Sequence, residues 1–157
     1  MRRHFLSAIL IGILLLVGCS ASGSLSRELG VDIPAEARRV EYDSHGGFHG
    51  DGRTYLELSF DVGAGETLEG EIQKSGRWKA LPLSENLRRL AENAMPQEGG
   101  YTSPATAALG YYRFIDRHSE STNPQDDAGV LGRPSCNYTL AVYDARREVL
   151  YYVALDT

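Results

Sequence analysis

The chain is poor in the features that commonly stabilise or specialise a small domain. It has only two cysteines in 157 residues, Cys19 and Cys136, too few for a disulfide framework. Its two methionines and six prolines exclude a methionine-rich adaptable surface and a proline-rich recognition tract. The longest uncharged, mostly apolar run, residues 5–17, has 13 members and falls short of the ~20 needed to span a bilayer as a helix. Basic residues are also in deficit, 16 Lys and Arg against 21 Asp and Glu, for a net charge of −5. Nucleic acid is therefore an unsuitable partner, because neutralising phosphates requires a basic face. There is no internal repeat, and no cofactor-binding motif.

What the sequence does have begins at its N-terminus. Arg2 and Arg3 precede the apolar run, which leads into Leu16-Val17-Gly18-Cys19. A positive n-region followed by a short apolar h-region reads as an export signal rather than a membrane span. The four residues at its end resemble the lipobox of bacterial lipoproteins. That resemblance implies cleavage between Gly18 and Cys19, and a diacylglyceryl group on the Cys19 sulfur with palmitate-type acyl chains. Two chains anchor stably where one is marginal, at roughly 0.8 kcal/mol per buried methylene. The expected organisation is a signal peptide over 1–18, a lipidated cysteine and tether over 19–37, and one domain over 38–157.

The resemblance thus places the protein outside the cytoplasm on the cell membrane or outer membrane, and Ser20 after the lipidated residue favours the outer membrane where one exists. Removing residues 1–18 discards two arginines and no acids, leaving 139 residues at −7. Such a domain stands off an anionic membrane rather than lying on it. With Cys19 lipidated, Cys136 has no partner, so the fold rests on its core, which a chain of this length can build.

The periodicity predicts an α+β domain. Residues 38–44, RRVEYDS, read as a first strand. Residues 54–62 alternate strictly, with Leu56, Leu58, Phe60 and Val62 on one face and Tyr55, Glu57, Ser59 and Asp61 on the other, the period of a half-buried strand. Residues 65–78 read as a short helix ending at Gly76, with Leu68 and Ile72 four apart. A second helix follows Ser84 as N-cap, with Leu87, Leu90, Ala91 and Ala94 as its stripe and Pro96 beyond it. LGYYRFIDR reads as a strand. Residues 137–157 read as a hairpin turning near 144–147, with Tyr138, Leu140 and Val142 before the turn and Val149, Tyr151, Val153 and Leu155 after it. The order β-β-α-α-β-β-β implies an antiparallel sheet of about five strands with two short helices on one face.

Three segments, HGGFHGDG (45–52), WKALPL (78–83) and the terminal LDT, are similar to those of small bacterial envelope proteins of no assigned activity. That likeness spans most of the exported chain and implies one domain, with no function attached.

Four constellations could carry chemistry. His45 and His49 are separated by three residues, a spacing used in zinc sites, and His118 or Asp51 could complete a set. The glycines around them oppose a helix there and favour a hairpin loop with the histidines in solvent. Residues 117–135 form a long polar connection that includes Asp126 and Asp127, of a length that is functional or disordered inside a compact domain. Its spacing is not that of a calcium loop, and a solvated loop is the simpler reading. Asp116-Arg117-His118 could act as an acid–base pair, but no nucleophile accompanies it. HGGF matches part of an esterase oxyanion element, without the G-x-S-x-G elbow such enzymes need. Lastly, Tyr55, Tyr112, Tyr143 and Tyr152 are candidates for a binding face opposite the leucines, since tyrosine is enriched at interfaces. Cys136 reads as a small buried hydrophobe.

The expectation is a lipid-anchored, non-catalytic module contacting an envelope protein, peptide or wall polymer through the tyrosines and the two loops. The alternative is a metal-binding protein or metal-dependent hydrolase using His45, His49 and His118.

Overall fold

The structure, a computed structural model, describes residues 21–46 and 50–157. The expected signal peptide (1–18), Cys19 and His49 lie outside the described residues. Six strands, β1 (Arg38–Asp43), β2 (Gly52–Ser59), β3 (Lys79–Ala80), β4 (Gly110–Asp116), β5 (Tyr138–Asp144) and β6 (Val149–Asp156), form one antiparallel sheet in the order β1-β2-β6-β5-β4-β3. Three helices pack on it: α1 (Ala21–Leu29), α2 (Val62–Ser75) and α3 (Glu85–Asn93). The domain is α+β as expected, with a sixth strand added by two residues, too short to leave a periodic signal.

The helices cover both faces of the sheet rather than one. On one face α3 sets Leu87, Leu90 and Ala91 against Tyr55, Leu140, Val142, Tyr151 and Val153. On the other, α1 and α2 bring Leu25, Leu29, Leu68 and Ile72 onto Leu56, Leu58, Ala141, Tyr143 and Leu150. β5 lies where the two cores overlap, and all seven of its residues are buried. Its sequence, YTLAVYD, shows period two only on the Leu140 side. Thr139, Ala141 and Tyr143 are small or amphipathic enough to be read as solvent-facing, yet they face the second core.

Helix boundaries follow local chemistry. Asp61 caps α2, its side chain accepting from the Ala64 N–H at 2.8 Å, and Gly76 closes the helix at φ 62°, where glycine bears no Cβ penalty. The strand expected to reach Val62 thus ends at Ser59. Val62 is the exposed first residue of α2, because the capping aspartate supplies the acceptor that starts the helix. Ser84 caps α3 as expected, accepting from the Leu87 N–H at 3.1 Å.

The largest departure is the presumed tether. From Ala21 it is helix, with Leu25 and Leu29 buried four residues apart. The Ser26 carbonyl accepts from the Gly30 N–H at 2.7 Å and the Val31 N–H at 3.2 Å, and Gly30 sits at φ +63°, a left-handed helix end. The Leu29 carbonyl takes the Trp78 indole N–H at 3.3 Å and the Arg113 guanidinium at 2.5 Å. Val31 and Ile33 continue into the core. The domain begins at α1, not near Arg38. The expected long loop is also ordered by its contacts. The Asp116 N–H donates to the Pro124 carbonyl at 2.7 Å, and Val130, in a short turn of 3₁₀ helix, is fully buried against the α3 core.

Candidate functional site

A cleft of about 240 Å³ lies between α1 and the β1–β2–β6 end of the sheet. Strand alternation puts Arg39, Glu41 and Asp43 of β1 on this side. β2 contributes Thr54 and Leu56, β6 contributes Tyr152, and α1 contributes Leu25 and Glu28. The floor is apolar and the walls are charged, three carboxylates to one guanidinium. Glu28 is held from two sides, by the Thr139 hydroxyl at 2.6 Å and the Tyr152 hydroxyl at 3.0 Å. Burial raises the Tyr152 pKa, and the neighbouring Glu28 charge adds to the shift, so Tyr152 remains a donor. Arg39 and Glu41 pair along the strand at 2.9 Å.

At the cleft mouth Asp43 links to the glycine-rich loop. Its Oδ1 accepts from the His45 backbone N–H at 2.9 Å and lies 2.9 Å from His45 Nδ1. Its Oδ2 accepts from the Thr54 hydroxyl at 3.2 Å. His45 Nε2 lies 3.4 Å from Asp156 Oδ2, and Arg117 donates to Asp156 Oδ1 at 2.7 Å. A chain Asp43–His45–Asp156–Arg117 therefore stitches the β1 end to the β6 end and to the segment after β4. The hydrogen bond that Asp43 accepts from the ring raises the His45 pKa above its ordinary 6.5. In return, the His45 backbone and ring hold Asp43 below the usual carboxylate range. The His45 ring also rests on Gly52, where a Cβ would come within 2.7–2.8 Å of His45 Cα and ring carbons. Only glycine fits there.

Both ring nitrogens of His45 thus have carboxylate partners, which favour the protonated ring. His118 is occupied differently: its Nδ1 accepts from the Glu120 N–H at 3.3 Å. Among the described residues no group of three or more His, Cys, Asp or Glu is placed to hold a metal ion.

The four tyrosines do not form one surface. Tyr55 and Tyr143 are fully buried, on opposite faces of the sheet. Tyr55 meets the Thr102 carbonyl and Glu57, and Tyr143 sits between the Gly65 carbonyl and Glu148. Tyr112 packs beside the α3 core and Tyr152 beside the other, both partly exposed. The expectation fails because both sheet faces are covered. Tyrosines opposite the leucines face a second core instead of solvent, and the hydroxyls of Tyr55, Tyr143 and Tyr152 bond to carbonyls and carboxylates. Of the four, Tyr152 alone lines the cleft.

Asp116, with its side chain 1% exposed, pairs with Arg133 at 2.7 Å. Burial opposes its ionisation, but the Arg133 hydrogen bond and the His118 backbone N–H outweigh it and hold its pKa below the ordinary value. This is a bracket for the long loop rather than a proton shuttle. Cys136 is partly buried, its thiol donating to the Val130 carbonyl at 3.1 Å.

The cleft residues Glu28, Arg39, Glu41 and Thr54 were not expected from the sequence. Period two on β1 could have grouped Arg39, Glu41 and Asp43, but nothing local shows that a helix from the presumed tether lies over them. No family model matches the chain, and neither curated proteins nor solved structures give a match.

Proposed function

We propose that the protein is a lipid-anchored, extracytoplasmic binding module of the cell envelope, non-catalytic, with the α1–β1–β2 cleft as its contact surface. The observation that carries this reading is the join between anchor and fold. The lipobox cysteine stands two residues before α1, and α1 is packed into the core. A lipid on Cys19 then sets the domain directly at the membrane surface, with the cleft beside its point of attachment.

The cleft suits a polar ligand with cationic character, such as a peptide, a protein loop or a wall polymer bearing amines. Its carboxylates outnumber its one guanidinium, and the apolar floor of Leu25 and Leu56 takes a short aliphatic portion. The His45–Asp43 clasp fixes one wall.

The test has two arms. Labelled palmitate should enter the wild-type chain and not Cys19→Ala, and membranes should retain only the former. Cross-linking in intact cells should then capture a partner that Glu41→Lys and Tyr152→Phe weaken. A chain recovered wholly from the cytosol with its initiating methionine intact refutes the anchor. A captured partner indifferent to the cleft variants refutes the contact surface.

A further inference from the structure

β1 ends the sheet, and among the described residues no strand lies against its outer side. Five of its six residues are exposed and Val40 is half-buried. Two hydrogen bonds establish which backbone groups point outward. The Ser44 N–H donates to the Arg53 carbonyl at 3.0 Å, and the Phe60 N–H to the Glu148 carbonyl at 2.9 Å. Backbone groups alternate sides along an antiparallel strand. With the β1–β2 and β2–β6 registers, both bonds turn Arg38, Val40 and Tyr42 toward β2. Arg39, Glu41 and Asp43 are left aimed at the open edge.

We propose that this edge pairs with itself: two copies of the chain join β1 to β1 antiparallel, with Val40 on the two-fold axis, into one continuous sheet. Hydrogen bonding across the edge can join only the outward-facing residues, which leaves two registers centred on the strand. One sets Arg39 against Asp43 at each side but Glu41 against Glu41 of the second copy at its centre, a like-charge pair that opposes association. The other sets Arg39 against Glu41 and Glu41 against Arg39, two opposite-charge pairs directly across the new ladder, with Val40 facing its own copy. Arg39 and Glu41 already contact each other within one chain at 2.9 Å, so their side chains share a face and reach across one strand spacing.

The order of charges also selects direction. β1 is basic at its start (Arg38, Arg39) and acidic toward its end (Glu41, Asp43), so an antiparallel copy matches it and a parallel copy clashes. Edges protected against association carry charges that repel any second copy, whereas this one is complementary to its own reverse. The two-fold axis of such a pairing runs through the sheet, perpendicular to its face. Both α1 helices therefore lie on the same side of the joined sheet, and both chains enter it from that side. The proposal does not depend on the lipid anchor, but its geometry suits two chains rising from one membrane.

The experiment uses the full chain with Cys136→Ser as background. At a non-hydrogen-bonded antiparallel pair the Cα atoms are about 4.5 Å apart, within the roughly 4.4–6.8 Å range of disulfides. Val40→Cys should give, on mild oxidation, a reductant-sensitive species of twice the chain mass beyond the background. Glu41→Cys, offset along the ladder from its own copy, should give none. Arg39→Glu added to Val40→Cys should abolish the cross-link, and Arg39→Glu with Glu41→Arg should restore it. Failure of Val40→Cys to link in a chain with native circular dichroism overturns the proposal. So does linking by Glu41→Cys instead, indifference to the charge reversals, or a cross-linked band containing a different protein on this edge.

Discussion

At the scale of single residues, His45 is the most informative. Its imidazolium is stabilised chiefly by the hydrogen bond it donates to Asp43, so its pKa lies above 6.5 in the folded chain. A group whose pKa rises on folding contributes stability that is complete below its unfolded value and fades as pH climbs through the folded one. The clasp is therefore at full strength below about pH 6.5 and is lost on the alkaline side. At the acid end Asp43, held below 3.8, keeps its contribution above that value and loses it as pH falls through its lowered pKa. NMR titration of the His45 ring should show a midpoint above 6.5, and Asp43→Asn should bring it back toward 6.5. Gly52→Ala tests the same clasp sterically. The new Cβ would collide with the His45 Cα and ring, so the ring must move off its carboxylates. The variant should lower the His45 midpoint as Asp43→Asn does, without touching a charge.

At the scale of elements, α1 is where expectation and structure part most. Its leucines are spaced for a helix face, but three serines, an alanine and a glycine around them resemble a linker, and Gly23 and three serines lower intrinsic helix propensity. The helix forms because tertiary contacts supply what propensity does not: burial of Leu25 and Leu29, and a last carbonyl held by Trp78 and Arg113. Leu29→Ala should cost about 2–5 kcal/mol, the range for deleting a fully buried leucine side chain. The loss should appear as a lower denaturant midpoint and as new proteolytic cleavage between residues 21 and 33. Cleavage unchanged from wild type would mean that the sheet does not need α1.

Other elements were legible for identifiable reasons. α3 buries one face among polar neighbours, and on β2 Leu56 and Leu58 alternate with the polar Glu57 and Ser59, so both show the right period, and Ser84 announces α3. β5 hid its second face because Thr139, Ala141 and Tyr143 suit either environment. Of the cleft, Tyr152 was legible as a candidate, but the cleft itself was not. Its members come from α1, β1, β2 and β6, and only the fold brings residues 24–56 and Tyr152 to one place.

At the scale of the whole molecule, two cores share one sheet, and β5 and β6 supply side chains to both. Damage to either core should therefore unfold the other. Leu140→Ala removes a fully buried side chain from the α3 side and should cost about 2–5 kcal/mol. Trp78 reports on the opposite core. Its fluorescence should nevertheless shift to the same lower midpoint as far-ultraviolet circular dichroism, as coincident probes do in an all-or-none transition. Separate midpoints would show two independently melting halves.

The docking of α1 also has a mechanical consequence. A pull applied at Ala21 acts on a helix already docked on the sheet. It loads Leu25 and Leu29, and the Glu28 links to Thr139 and Tyr152, which cross to β5 and β6. Force on the N-terminus is thus carried straight to the middle strands, and the first thing it can peel away is the helix that roofs the cleft.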